Sequence, residues 1–196
     1  MELRPISDLA GWYARELSEA FPENERKPLA DMMSEMERGC YEPLGLYEGQ
    51  ALLGYATLWS REAFPGYVLL DYLGVTAGRR NGGLGAAILR LLGERYAGRA
   101  LIITEAEAPV PGGPEAENAL RLRRIGFYER CGFAPVYDIG SCGVRFRALV
   151  LGRMPAGMEE LMAAHRAIYG PGRPDVKIPL GPGETPEPPY WMKGRN

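Results

Sequence analysis

The stretch from Tyr67 to Thr104 constrains this chain more than any other. Tyr67 to Val75 is a nearly continuous apolar run, the pattern of a central strand buried on both faces. A turn containing Arg79, Arg80, Asn81, Gly82 and Gly83 follows. Leu84, Ala87, Ile88, Leu91 and Leu92 then recur at i, i+3, i+4, i+7 and i+8, which traces one helix face. Ala100 to Thr104 reads as another short buried strand. Apolar faces of these two periods are satisfied only by a sheet with helices laid on it.

The flanking sequence fits the same plan. Glu2 to Ile6 reads as a first strand, and Ser7 or Asp8 can cap a helix to about Ala20. Pro28 suits the first turn of a second helix running to about Arg38. Tyr41 to Tyr47 and Ala51 to Trp59 form a hairpin around Glu48, Gly49 and Gln50. A helix is expected from about Glu115 to Arg130 with Gly132 ending it, then strands Phe133 to Asp138 and Gly143 to Leu151. The order is βααβββαβαββ, an α/β (α+β) chain with a mixed, mostly antiparallel central sheet flanked by helices.

Residues 1–152 make one domain, and 153–196 an appendage. Within the appendage, Met158, Leu161, Met162, His165 and Ile168 repeat at helical spacing from about Ala156 to Tyr169. Residues 171–190 hold seven of the seventeen prolines, so an extended segment is expected there, with an apolar end at Tyr190, Trp191 and Met192 that can dock. His165 reads as a packing residue.

Charge and cysteine content narrow the partners. With 23 basic and 25 acidic groups the net charge is −2, which supplies no global field for nucleic acid or anionic lipid. Any anion site must be local. Three cysteines, Cys40, Cys131 and Cys142, form no CxxC pair and fit a reducing cytoplasm as small core residues. No signal peptide or membrane span is read, and a single histidine leaves little material for a zinc site or a serine triad.

The glycine-rich turn supplies the local anion site. Glycine permits close backbone approach, and the unpaired N–H groups of a first helical turn lie at the positive end of the helix dipole. Such a start is a cradle for pyrophosphate. A P-loop would need Lys followed by Ser or Thr, whereas Gly83 is followed by Leu84 and Gly85. A dinucleotide fingerprint begun at Gly83 would place Ile88 where its third glycine belongs. What remains is R-x-x-G-x-G at Arg80, Gly83 and Gly85, preceded by L-x-V at Leu73 and Val75.

This pattern resembles motif A of the GNAT superfamily of acyl-CoA-dependent N-acyltransferases. Arg124-Ile125-Gly126-Phe127-Tyr128-Glu129-Arg130-Cys131-Gly132-Phe133 is similar to the family's second signature, a helix ending in F-Y-E-x-x-G-F. The resemblance spans Glu2 to about Leu151 and implies the GNAT fold. It implies that acetyl-CoA lies with its pantetheine arm on the main chain at Leu73 and Val75, and its pyrophosphate on amides of Arg80, Asn81, Gly82, Gly83, Leu84, Gly85 and Ala86. A main-chain N–H near Leu73 or Gly74 would face the thioester oxygen. Many members carry Asn seven residues before the tyrosine; here Arg121 stands there and Asn118 lies a turn earlier.

The implied reaction needs three groups. An amine with a pKa of about 10.4 must lose its proton, at about 4 to 5 kcal/mol at neutral pH, so a base is required. Charge then builds on the thioester oxygen and on the departing sulfur, which call for an amide donor and an acid. By resemblance Tyr128 is the acid, and it also reads as a packing tyrosine. Glu105 ranks first as base and Asp71 second; each also reads as a carboxylate paired to an arginine. Arg121, Arg123 and Arg124 suit either the adenosine phosphate or a solvated helix face, and residues 22–28 suit an acceptor border or plain solvent.

The reading is an N-acetyltransferase acting by direct transfer in a ternary complex, without metal, on a small-molecule or peptide amine. A non-catalytic acyl-CoA-binding sensor is the rival, and a nicotinamide-dependent oxidoreductase a third reading. The tail is free to close over the site or to pack on a second copy of the chain as a homodimer.

Overall fold

Alternation along the strands sorts the apolar residues into two cores, one on each face of a single sheet. The computed structural model describes residues 1–79 and 82–192. Arg80 and Asn81, expected at the anion site, therefore lie outside the described residues, as do residues 193–196. The strands are β1 (Glu2–Pro5), β2 (Tyr41–Glu48), β3 (Ala51–Ser60), β4 (Tyr67–Val75), β5 (Leu101–Glu107), β6 (Ala134–Ser141) and β7 (Val144–Leu151). They form a seven-stranded sheet in the order β1-β2-β3-β4-β5-β7-β6. Among the described residues β4 and β5 are the parallel pair, and the other neighbours are antiparallel.

On one face, Val68 and Leu70 of β4 and Ile102 of β5 pack against Ile88, Leu89 and Leu92 of the Leu84–Tyr96 helix and Ile125 and Tyr128 of the Glu115–Arg130 helix. On the other, Tyr67, Leu69, Leu101 and Ile103 meet Trp12 and Leu17 of the first helical segment, Met32 of the Leu29–Glu37 helix, and Leu161 and Ile168 of the Met158–Tyr169 helix. The period of two along the strands separates these sets, and the period of 3.6 along the helices gathers their partners. The C-terminal helix is thus built into a core of the main sheet.

Several boundaries differ from the sequence expectation. β5 continues past Thr104 to Glu107, because β7 keeps pairing with it as far as Glu107↔Phe146. β6 runs to Ser141 and turns through Cys142 (φ 55°) and Gly143 (φ 77°), the left-handed pair of a tight hairpin, and Cys142 is buried there, as expected of a small core residue. The proline-rich tail lies along β6, which is the sheet edge. There Gly140 and Lys177 form an antiparallel bridge, the Leu180 amide donates to Asp138 O at 2.7 Å, and the Gly143 amide donates to Glu187 O at 2.7 Å. The tail then crosses to the Leu29–Glu37 helix, where Tyr190 donates its hydroxyl proton to Asp31 and the Trp191 ring stacks 4.8 Å from the Arg173 guanidinium.

Candidate functional site

The site exists because two central strands part. β4 and β5 pair from Tyr67↔Leu101 only to Leu70↔Thr104. Immediately after Leu70, Asp71 is skipped in the pairing of β4 with β3, which steps from Leu58↔Leu70 to Thr57↔Tyr72. One extra residue on one strand is a β-bulge, and a bulge bends its strand. Beyond it Tyr72 to Val75 stay with β3 while Glu105 to Glu107 stay with β7. The gap between them opens into a cleft of about 910 Å³.

One wall of the cleft is the edge of β4 that β5 has left. The Tyr72 amide donates toward β3, to Thr57 Oγ1 at 3.1 Å, and the Thr76 amide donates to Leu53 O on the same side at 3.1 Å. Because amides alternate along a strand, those of Leu73 and Val75 are directed at the opposite, vacated edge, and that of Gly74 is not. Leu73 and Val75 thus present their amides to the cleft, whereas the Gly74 amide faces β3. Gly74 is glycine for another reason: a Cβ there would run into the Tyr55 ring, which is 1% exposed.

At one end of this wall the Leu84–Tyr96 helix begins. Gly83 sits at its N-cap with φ 75°, a conformation glycine adopts without penalty, and Gly83, Leu84, Gly85 and Ala86 line the cleft. The helical ladder starts with the Ala87 amide on Gly83 O at 3.0 Å, so the preceding amides have no partner inside the helix. A Cβ on Gly85 would stand 3.3 Å from the Phe127 ring, so this glycine brings the Glu115–Arg130 helix close to the helix start. Gly82 is exposed in the bend and is not part of the lining; Arg79 is.

Tyr128 and Glu105 both line the cleft, Tyr128 within one core and Glu105 against Tyr169 of the other. Tyr128 is 9% exposed, with its ring edge-on to Phe127 and Phe133 at 5.3 and 5.5 Å. Burial raises its phenol pKa above the ordinary value, with the Thr104 hydroxyl and Arg124 pulling the other way, so the proton stays on and the hydroxyl is a donor. Glu105 accepts from Tyr169 Oη, at 2.9 Å to Oε1 and 2.8 Å to Oε2, and its Oε1 lies 2.8 Å from His165 Nε2. A carboxylate only accepts, so His165 Nε2 carries the proton at this contact, while Nδ1 meets the Tyr137 hydroxyl at 3.1 Å. No arginine is paired with Glu105 among the described hydrogen bonds.

Asp71 is differently placed. Its Oδ1 takes Lys27 Nζ at 2.5 Å and its Oδ2 the Tyr41 hydroxyl at 2.9 Å. The Lys27 ammonium also lies 4.6 Å from the Trp59 ring centroid and 5.4 Å from that of Tyr72. The partner foreseen for this carboxylate was an arginine; it is a lysine from the segment between the first two helices. That segment is tied down further by Tyr72 Oη, which receives the Lys27 amide at 2.9 Å and donates to Glu25 O at 2.7 Å. Residues 22–28 therefore border the cleft, with Pro22, Glu25 and Lys27 in its wall.

The departure at Arg121 and Asn118 is resolved by their contacts. Asn118 holds the loop ahead of its own helix, receiving the Val110 amide and donating to Val110 O, both at 2.8 Å. Arg121 pairs with Glu107 at 3.2 Å and Glu117 at 3.3 Å. Arg123 and Arg124 line the cleft, Arg124 while paired to Glu107 at 2.6 Å. Sequence reading missed the contacts of Lys27, His165 and Tyr169 with the two carboxylates. A signal existed for the last two: four residues apart on a helix, they share one face.

Residues 6–133 match the model of the Acetyltransferase (GNAT) family. No curated protein matches the chain in sequence. Among solved structures, a GNAT-family protein from Bacteroides thetaiotaomicron is 24% identical with TM-score 0.67, covering 87% of this chain and 99% of its own. The ribosomal-protein-S18-alanine N-acetyltransferase from Escherichia coli is 20% identical with TM-score 0.58, covering 80% of this chain and 96% of its own. An aminoglycoside 6′-N-acetyltransferase from Enterococcus faecium is 15% identical with TM-score 0.57, covering 80% and 99%. At these identities the likeness is one of fold.

Proposed function

The chain belongs to the GNAT family of acetyltransferases, and from that premise we propose that it moves an acetyl group from acetyl-CoA to a primary amine by direct attack, with both substrates bound together. The observation that carries this reading is the parting of β4 and β5 after Leu70 and Thr104, which leaves a strand edge, a helix start and a carboxylate facing one cleft.

The residues fit the coenzyme. Leu73 and Val75 offer main-chain groups on the vacated edge to a pantetheine arm, and the first-turn amides from Gly83 to Ala86 offer donors to a pyrophosphate. Arg79 and Arg123, which line the same cleft, add positive charge. The bound coenzyme supplies an activated acyl group; the chain supplies orientation and proton handling.

Glu105 takes the proton of the amine, directly or through a water. The Leu73 amide stabilises negative charge on the carbonyl oxygen, a contribution that grows as charge develops. Tyr128, kept protonated by burial, donates to the departing sulfur. Asp71, already engaged by Lys27 and Tyr41, anchors the acceptor-side segment and leaves the base role to Glu105.

Thiol release from acetyl-CoA across a panel of amines, polyamines, antibiotics and peptide N-termini tests the proposal. Amine-dependent release with N-acetylated product is the expected result. Coenzyme A binding without stimulation by any amine would leave a non-catalytic acyl-CoA-binding module, and no calorimetric binding at millimolar coenzyme A would remove the reading altogether.

A further inference from the structure

The C-terminal helix lies beyond the family-matched residues 6–133, yet two of its side chains make the contacts that surround Glu105. We propose that His165 and Tyr169 are positioning residues that hold the Glu105 carboxylate in its working orientation, so that the appended helix completes the catalytic site. This rests on the acetyl-transfer reading, with Glu105 as its base.

The contacts are demanding ones. Tyr169 Oη lies within 2.9 Å of both carboxylate oxygens, and His165 Nε2 within 2.8 Å of Oε1. The four-residue spacing puts both donors on one face of the Met158–Tyr169 helix. Their neighbours Leu161 and Ile168 on that helix are buried in the apolar core, which fixes the helix and with it the donors. A base must meet its substrate with a lone pair correctly aimed, and donors behind it set that aim.

Packing alone does not account for the histidine. His165 is 0% exposed, and burying an imidazole costs free energy unless both nitrogens are engaged. Leucine or methionine would fill the same apolar face without that penalty. Here both nitrogens are engaged, Nε2 by Glu105 and Nδ1 by Tyr137. Tyr169 repeats the pattern: its ring packs edge-on to Trp59 at 5.6 Å, a contact phenylalanine would keep, while its hydroxyl goes wholly to Glu105.

Three variants separate positioning from packing. With an amine that the wild type acetylates, Tyr169→Phe and His165→Met are expected to lose about tenfold to hundredfold in kcat at unchanged KM for acetyl-CoA, as for lost hydrogen bonds to a charged group. His165→Gln, whose amide N–H reaches toward the place of Nε2, is expected to recover most of that loss. Full turnover in the first two variants, a loss carried by KM, or His165→Gln as poor as His165→Met would overturn the proposal. A second measurement does not need an acceptor. His165 is the chain's single histidine, so its ring signals in 15N NMR are unambiguous. Glu105→Gln must move the Nε2 resonance; an unmoved resonance overturns the inference even if amines are acetylated. A moved resonance in a protein that acetylates nothing would support the contact and defeat the function reading alone.

Discussion

Leu70 and Thr104 are the last rung of the parallel ladder between β4 and β5, and Thr104 Oγ1 still reaches Leu70 O at 3.4 Å. One residue further along each strand stand Asp71 and Glu105, which no longer face a common ladder and have separate partners. The two carboxylates that the sequence offers as candidate bases thus fall on either side of the same opening. One is neutralised by an ammonium, and the other is oriented by a phenol and an imidazole.

That difference predicts opposite phenotypes. Asp71→Ala leaves the Lys27 ammonium buried without its partner, and breaking such a pair costs about 3 to 5 kcal/mol. Its signature is a lower unfolding midpoint in denaturant. Glu105→Gln keeps an oxygen acceptor for Tyr169 and loses the base, so turnover falls by about a hundredfold or more while coenzyme A affinity holds. Equilibrium unfolding and thiol release on the two proteins check both; a Glu105→Gln enzyme with full turnover would move the base elsewhere.

Tyr128→Phe removes the hydroxyl proposed to protonate the departing sulfur. The ring keeps its edge contacts with Phe127 and Phe133, so stability changes by no more than about 1 kcal/mol. Turnover is expected to drop by about a hundredfold, with coenzyme A binding by calorimetry near the wild-type value. Unchanged turnover would assign Tyr128 to packing.

How far the sequence reaches can be seen at particular residues. Tyr67–Val75 and Glu115–Arg130 are readable to the residue, since a continuous apolar run and a bounded helical segment are local patterns. The bulge at Asp71 is invisible, because it exists only in the register between β4 and β3. The Lys27 pairing with Asp71 spans 44 residues, and the His165 contact with Glu105 spans 60. Neither leaves a periodic trace. The glycine-rich turn is legible from its glycines, but which amides of β4 face the cleft is decided by the pairing of Tyr72 and Thr76 with β3.

The glycines of the cleft wall should separate by mechanism. Gly74→Ala forces a methyl into the buried Tyr55 ring, and overpacking of this kind costs about 1 to 3 kcal/mol. Gly83→Ala meets no atom of the described residues within 4 Å; its cost is the φ of 75°, about 1 to 2 kcal/mol. Gly83→Ala should also weaken coenzyme A binding, because relaxing that φ reorients the first-turn amides. Thermal melts with calorimetry on both variants check the contrast, and tight coenzyme binding by Gly83→Ala would count against the helix start as the phosphate site.

Glu25, in the cleft wall on the segment between the first two helices, gives the last prediction. Its carboxyl is raised to about 7, first by burial and then by the charge of Glu107, with Arg124 opposing. In the unfolded chain a glutamate titrates near about 4.3, so between these values the folded state binds the extra proton. Stability contributed by the protonated form is complete below about pH 4 and is lost as the pH climbs to about 7, the reverse of a salt-bridged carboxylate. Glu25→Gln should therefore match the wild type in acid and exceed it in unfolding midpoint at pH 8. Midpoints measured at both pH values decide the matter: a variant less stable than wild type at pH 8 would mean that Glu25 has a cationic partner in the folded chain and is not a desolvated carboxyl in the cleft wall.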